Sequence, residues 1–245
     1  MPNIKLIIEY DGTAYGGWQS QTNAPTVQDA LLLAIRQATG EDVKLNGSGR
    51  TDAGVHALGQ VANFSSEARI SPERYASALN MRLPEDIRVR SSCLVPDNFH
   101  AQFSATGKRY RYTAYNSRQG TALCRRTSWH VGQKLDIDAM RRAAEHFLGK
   151  QDFSAFQSLG GVRRDTVKTV SLSRITMEEP FFWFDVAADG FLYNMVRIMM
   201  GTLVKVGRGK LSPEDIPAII GSKVRMRAGD TAPARGLCLM EVYYN

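Results

Sequence analysis

Apolar residues along the chain change between two spacings. Alternation at period two, or a short apolar run bounded by turn residues, predicts strands over Ile4 to Tyr10, Val43 to Leu45, Gln60 to Phe64 and Ile87 to Val95. The same reading marks Gly107 to Tyr115, Lys168 to Met177, Phe181 to Ala187 and the end of the chain near Tyr244. Helical spacing takes over elsewhere. Val27, Ala30, Leu31, Ala34 and Ala38 share one face of a helix that opens at Thr26, with an acidic residue three positions on, and ends at Gly40. Ser71-Pro72 opens a second helix that closes near Asn80, and Asp136 to Gly149 has the form of a third. Further helices are expected over Asp189 to Leu203 and from Ser212-Pro213 onward. The first part therefore reads β, α, β, β, α, β, the split βαβ arrangement, and from Thr121 a loosely parallel second half begins. The expected fold class is α+β: two similar ferredoxin-like α/β halves, residues 1–105 and 106–245, forming a mixed, largely antiparallel sheet flanked by helices.

Two of these elements carry polar residues that packing alone does not ask for. At period two, Tyr110 and Tyr112 share one face of their strand, and Arg109 and Arg111 share the other. Such pairs commonly serve packing, yet rings interleaved with cations also suit stacking on an unpaired base beside its phosphates. In the helix over Asp189 to Leu203, apolar side chains wrap most of the circumference and leave a narrow stripe of Tyr193, Asn194, Arg197 and Gly201. A guanidinium on a buried helix needs an acidic partner to offset its desolvation. That partner is any nearby acid, or, more pointedly, Asp52.

Asp52 stands in the densest chemistry of the chain, Gly47-Ser48-Gly49-Arg50-Thr51-Asp52-Ala53-Gly54-Val55-His56-Ala57-Leu58-Gly59-Gln60. Glycines here allow tight turns and close approach of a ligand. A phosphate-binding P-loop would end in Gly-Lys-Ser/Thr, and a dinucleotide fingerprint needs a third glycine at a fixed offset; both spacings are missing. Two readings remain. Arg50 and Asp52 tie down the turn as an ion pair, or the loop offers one carboxylate as nucleophile or base beside a guanidinium that holds an anion or stacks on a flat group.

Composition narrows the partners. Of 245 residues, 31 are Lys or Arg and 24 are Asp or Glu, a formal net charge of +7 that favours a polyanion such as nucleic acid. Cys93, Cys124 and Cys238 are odd in number and widely spaced, which argues against a disulfide framework and a structural zinc site. The histidines, His56, His100, His130 and His146, show no ligand spacing. Residues Met1 to Lys5 lead straight into a strand without a secretory leader, and no run approaches the roughly 18 apolar residues of a membrane span, so a cytoplasmic protein is expected.

The motif Gly-Arg-Thr-Asp-Ala-Gly-Val-His-Ala over residues 49–57 closely resembles that of the TruA family of tRNA pseudouridine synthases. Tyr10-Asp11-Gly12, Gly17-Trp18-Gln19, Lys108-Arg109-Tyr110-Arg111-Tyr112, Gly190 to Arg197 and Ala232 to Leu237 resemble further blocks of the same family. The resemblance implies a pseudouridine synthase fold and an isomerase that converts uridine to pseudouridine in the anticodon stem-loop of tRNA, at positions 38, 39 and 40. It implies a catalytic Asp52, Arg197 as its ionic partner, Tyr110 against the target base, and a homodimer that shares one tRNA. Arg50 is expected to contact a phosphate or fill the place of the extruded base. The reaction is a net rearrangement, so neither cofactor nor metal is expected. The basic loop Gln157 to Asp165 is a candidate phosphate contact. Two other classes stay open: a glycosidic hydrolase, which would ordinarily need a second carboxylate, and a non-catalytic RNA-binding module, which would need neither Asp52 nor Arg197.

Overall fold

A computed structural model describes residues 1–158, 160 and 165–245. The elements run β1 (Asn3–Tyr10), α1 (Val27–Thr39), β2 (Asn46–Gly47), β3 (His56–Ser65), α2 (Tyr75–Asn80), β4 (Ile87–Val95), β5 (Ala105–Asn116) and β6 (Trp129–Val131). They continue with α3 (Ile137–Glu145), β7 (Gly149–Asp152), β8 (Val167–Glu178), β9 (Phe181–Ala188), α4 (Met195–Gly207), α5 (Asp215–Ser222) and β10 (Leu237–Tyr244). By contact the chain divides into two compact units, Met1–Thr106 with Cys238–Asn245, and Gly107–Leu237. The sequence pattern left the end of the chain with the second half. By contact it joins the first, because β10 pairs in parallel with β3 at Cys238–His56 and Leu239–Ala57.

In the first unit β1 lies between β4 and β3 and is antiparallel to both, with Leu6 opposite Ala62 on one side and Ser92 on the other. The short β2 adds antiparallel to β3, giving the order expected of a split βαβ unit. Alternation sets the inner face: Ile4, Leu6, Ile8 and Tyr10 of β1 are buried while Lys5, Ile7 and Glu9 are half-exposed. Helix α1 begins where its cap predicts, since the Thr26 hydroxyl accepts from the Asp29 N–H and donates to its carboxylate, and it ends at Gly40 with φ 79°. Its buried stripe of Val27, Leu31, Ala34 and Ile35 joins Tyr75 and Leu79 of α2. The Phe64 and Tyr75 rings meet edge to face at 5.4 Å. Each such side chain removed from water contributes about 2 kcal/mol.

Two starts in this unit differ from the pattern. Val43 to Leu45 has no strand pairing, and the ladder begins only at Asn46, opposite Asn63. Ser71 makes no capping bond; Pro72–Arg74 form a 3-10 turn before α2.

In the second unit β5, β9, β8 and β7 form an antiparallel run, and β6 joins β5 in parallel. Tyr110, Tyr112 and Ala114 are buried on one face of β5, and Arg109 and Arg111 are half-exposed on the other, as period two requires. Arg111 makes a two-pronged pair with the buried Asp185 of β9, both bonds 3.0 Å long. That cation neutralises a buried carboxylate across a strand pair.

Helix α3 opens on the Asp136 side chain, which accepts from the Ala139 N–H, and buries Ala139, Met140, Ala143 and Ala144. Helix α4 is almost wholly buried, as expected, but it starts at Met195 rather than Asp189. Asn194, read from the pattern as part of its polar stripe, adopts the left-handed conformation at φ 61° and stops the helix from extending backwards. Only Arg197 and Lys205 on α4 reach half-exposure. Across Arg197, Gly201 and Lys205 lies the segment Ala228 to Ala232: a Cβ on Gly201 would come within 1.8 Å of the Asp230 carbonyl oxygen, so a side chain is excluded there.

Candidate active site

The loop 47–56 is held from beneath and from one side by the first unit. Beneath it, Gln60 of β3 is fully buried and spends its amide on the loop. Its Oε1 accepts from the Ser48 hydroxyl (2.6 Å) and the Val61 N–H (3.2 Å), and its Nε2 donates to the Gly49 carbonyl (3.1 Å). The Tyr10 and Thr51 hydroxyls share a buried bond of 2.7 Å. Burial pushes the Tyr10 phenol well above its usual range, with bonds from Thr51 and Gln60 opposing, so it stays neutral.

From the side comes the segment after β1. The Trp18 N–H donates to the Thr51 carbonyl (3.1 Å), and the Gly54 N–H to the Tyr15 carbonyl (3.3 Å). Gly17 sits at φ 109°, and a Cβ there would fall 2.5 Å from the Thr51 carbonyl oxygen. The aromatic loop is thus built for close main-chain approach to the carboxylate loop, and its buried Trp18 packs against Tyr10 at 6.2 Å.

Asp52 itself begins a turn. Its carbonyl accepts from the Val55 N–H (3.1 Å), and Gly54 at the third position has φ 76°, the conformation that a type II turn reserves for glycine. The turn leaves the Asp52 side chain half-buried and Arg50, two residues earlier, exposed. His56, at the end of the motif, is buried. Its Nδ1 accepts from the Gly12 N–H (3.1 Å) and lies 3.1 Å from an Asp11 carboxylate oxygen, which is itself occupied by Thr13. A histidine so placed ties β1's end to β3.

The other expected residues belong to the second unit. Tyr110 is 8% exposed, with its ring edge-on to Phe191 at 5.1 Å. Beside it on β5, Tyr112 is fully buried and donates to the Pro233 carbonyl (2.7 Å); burial raises its phenol well above the usual range, opposed by the positive charges of Arg197 and Arg235. Arg197 donates from Nε to the Ala232 carbonyl and from Nη1 to the Asn194 Oδ1, both at 2.7 Å. Asn194 in turn donates to the Ser158 hydroxyl (3.0 Å). Arg50 and Asp52 thus share one loop of the first unit, whereas Tyr110 of β5 and Arg197 of α4 belong to the second, Tyr110 touching Phe191 and Arg197 bonded to Asn194 in the segment that leads into α4. Arg163 and Arg164 of the basic loop lie outside the described residues, and so does the expectation placed on them.

Residue spacing does not reveal the supports: Tyr10, Thr51 and Gln60 under the loop, and Asn194 and Ala232 around Arg197. The one available signal was Asn194 three positions before Arg197 on the polar stripe. Among the described residues no group of three His, Cys, Asp or Glu side chains is placed to hold a metal ion, and no helix is long and apolar enough to cross a membrane.

A half-buried carboxylate on a glycine-framed turn of a basic chain can serve as nucleophile or base toward a polyanion. Comparison with known proteins gives the class. A family profile described as tRNA pseudouridine synthase matches residues 6–104 and 143–245. The tRNA pseudouridine synthase A of Acetivibrio thermocellus is 54% identical over 244 residues, with 100% of both chains covered. That of Moorella thermoacetica is 50% identical over 246 residues, again with 100% of both covered. A crystal structure of a Cbf5-Nop10-Gar1 complex is distantly similar, at 11% identity and a TM-score of 0.40, covering 96% of this chain and 48% of that one. The chain belongs to the tRNA pseudouridine synthase family, and its chemistry is an isomerisation.

Proposed function

We propose that this chain isomerises uridine to pseudouridine in the anticodon stem-loop of tRNA, at positions 38, 39 and 40, with Asp52 as the catalytic carboxylate. The reaction breaks the bond from uracil N1 to the ribose, turns the ring, and joins the ribose to C5. The C5 proton leaves and N1 gains one, so nothing is oxidised or reduced. A stacked base is out of reach inside a helix, so the target nucleotide must first be extruded. Attack on the sugar, addition to the ring and removal of the proton each run through one essential carboxylate.

The observation that carries this reading is the framing of Asp52: a short turn, closed by Gly54 and braced through Thr51 and Gln60, that presents one half-buried acid. In the same reading Arg197 is the cation that keeps Asp52 ionised, Tyr110 supplies the ring against the target base, and the exposed Arg50 takes a phosphate or the space of the extruded base. The fixed guanidinium of Arg197 and the position of Tyr110 beside Phe191 support these roles. A homodimer and a cytoplasmic location extend the same reading. They rest on the family resemblance, and light scattering at working concentration tests the dimer.

The function is tested with tRNA transcripts carrying tritium at uracil C5. Wild-type protein is expected to release tritium to water, to leave no free uracil, and to lose activity when the three target uridines are replaced by cytidine. Release that persists after replacement would place the target elsewhere. Free uracil would mark a hydrolase, and binding without any release would mark a non-catalytic RNA-binding protein.

A further inference from the structure

We infer that Asn194 is a positioning residue for the isomerisation: it is shaped to fix the plane of the Arg197 guanidinium. This rests on the proposed role of Arg197 as the partner of Asp52. Three observations carry it. First, Asn194 precedes α4 in the left-handed conformation, φ 61° and ψ 9°, where residues at a helix start are normally extended. Asparagine is one of the few side chains that adopt this region readily.

Second, its side chain makes no capping bond to the helix, although asparagine at this position ordinarily does so. Its backbone still serves the helix, since the Asn194 carbonyl accepts from the Ile198 N–H (2.9 Å). The left-handed turn diverts only the carboxamide. Third, both ends of that carboxamide are used elsewhere. Oδ1 accepts from Arg197 Nη1 at 2.7 Å, and Nδ2 donates to the Ser158 hydroxyl at 3.0 Å, which also settles which end is oxygen. Ser158 is itself pinned, because its N–H donates to the Tyr193 carbonyl (3.1 Å).

Arg197 is consequently gripped at two atoms. Nε is held by the Ala232 carbonyl and Nη1 by Asn194, and two such bonds on a planar group fix the orientation of its plane. The Ala232 N–H returns a bond to the Arg197 carbonyl (3.1 Å), so the acceptor at Nε moves with the helix. Asn194 supplies the second point, and through Ser158 it carries the same hold to the segment that leads into residues 159–165.

The test is a double-mutant cycle on C5-tritiated tRNA, with kcat and KM measured separately and folding followed by thermal melting. N194G keeps a residue at home in the left-handed region and removes only the side chain; it is expected to melt near the wild type, hold KM within about threefold, and lose on the order of 10- to 100-fold in kcat, the effect of misplacing a reacting group by a fraction of its radius. In an R197A background the same change is expected to have no further effect. N194D, which keeps the shape but sets a second carboxylate against Arg197, is expected to lose at least as much kcat, and it decides the matter should N194G fail to fold. R197A with a large loss while N194G and N194D both stay within twofold of wild type would overturn the positioning role and leave the Arg197 reading standing. R197A that remains fully active would overturn the Arg197 reading itself.

Discussion

Around Asp52, in the first unit, the main chain does the holding. Gly17 and Gly54 hold positive φ, a Cβ on Gly17 would meet the Thr51 carbonyl and one on Gly47 the Trp18 ring, and a buried glutamine and a buried tyrosine fasten the result from below. Around Arg197, in the second unit, side chains do it: a carboxamide and one carbonyl grip a guanidinium on a helix otherwise sunk in apolar packing. The carboxylate needs a fixed location, which a tight turn gives. A guanidinium at the end of a flexible stem needs a fixed plane, which takes a second hydrogen-bonding partner. Substitutions near Asp52 should therefore act through the fold as well as the reaction, whereas those near Arg197 should touch the reaction first.

The sharpest way to break that contrast is Gly17→Ala. A methyl group 2.5 Å from the Thr51 carbonyl oxygen, on a residue held at φ 109°, is expected to cost about 3 kcal/mol of stability and to displace the Asp52 turn, lowering both melting temperature and turnover. Next comes Gln60→Ala, which removes the acceptor of the Ser48 hydroxyl and the donor to the Gly49 carbonyl; about 2 kcal/mol is expected from denaturant titration. Tyr112→Phe probes the second unit. It removes the bond to the Pro233 carbonyl and nothing else, for about 1 kcal/mol, with turnover kept within a few-fold.

The smallest effect is expected at an ion pair that belongs to neither set of contacts. The Lys223 ammonium, 2.8 Å from Asp152, holds that carboxyl well below the usual carboxylate range, aided by Ser154. A depressed value in the folded protein contributes stability above the unfolded carboxylate range and loses it as pH falls through the folded value. Lys223→Ala should therefore lower stability at pH 7 by less than about 1 kcal/mol, since Lys223 is well exposed and screened, and the difference from wild type should shrink as pH falls below the unfolded carboxylate range. Melting curves at pH 7 and about pH 2 check the sign.

How far the sequence could be read follows the same divide. Periodicity placed β4 over Ile87–Val95 and found both faces of β5, because those patterns are local and alternate with burial. Thr26 and Gly40 marked the ends of α1 because capping is chemistry within four residues. The start of α4 was missed by six residues. Its apolar pattern continues back through Leu192 and Phe191, and only the left-handed Asn194, whose side chain accepts from Arg197, cuts the helix there. Leu45 is buried as its apolar character suggests, yet the strand begins after it, since pairing with Asn63 and Ala62 decides the ladder. Asp52 and Arg50 stood out as a motif. The Gln60 and Tyr10 braces beneath them did not, because they depend on strands brought together from separate parts of the chain.

The most direct test is a single-turnover comparison of Asp52→Asn with the wild type, with tRNA binding measured on the same samples. The substitution keeps the size of the side chain and removes its charge. Pseudouridine formation is expected to fall at least about 1,000-fold while the dissociation constant for tRNA stays within a few-fold and the melting temperature is unchanged. Turnover retained to within tenfold would show that the carboxylate framed by this loop is not the group that carries the isomerisation.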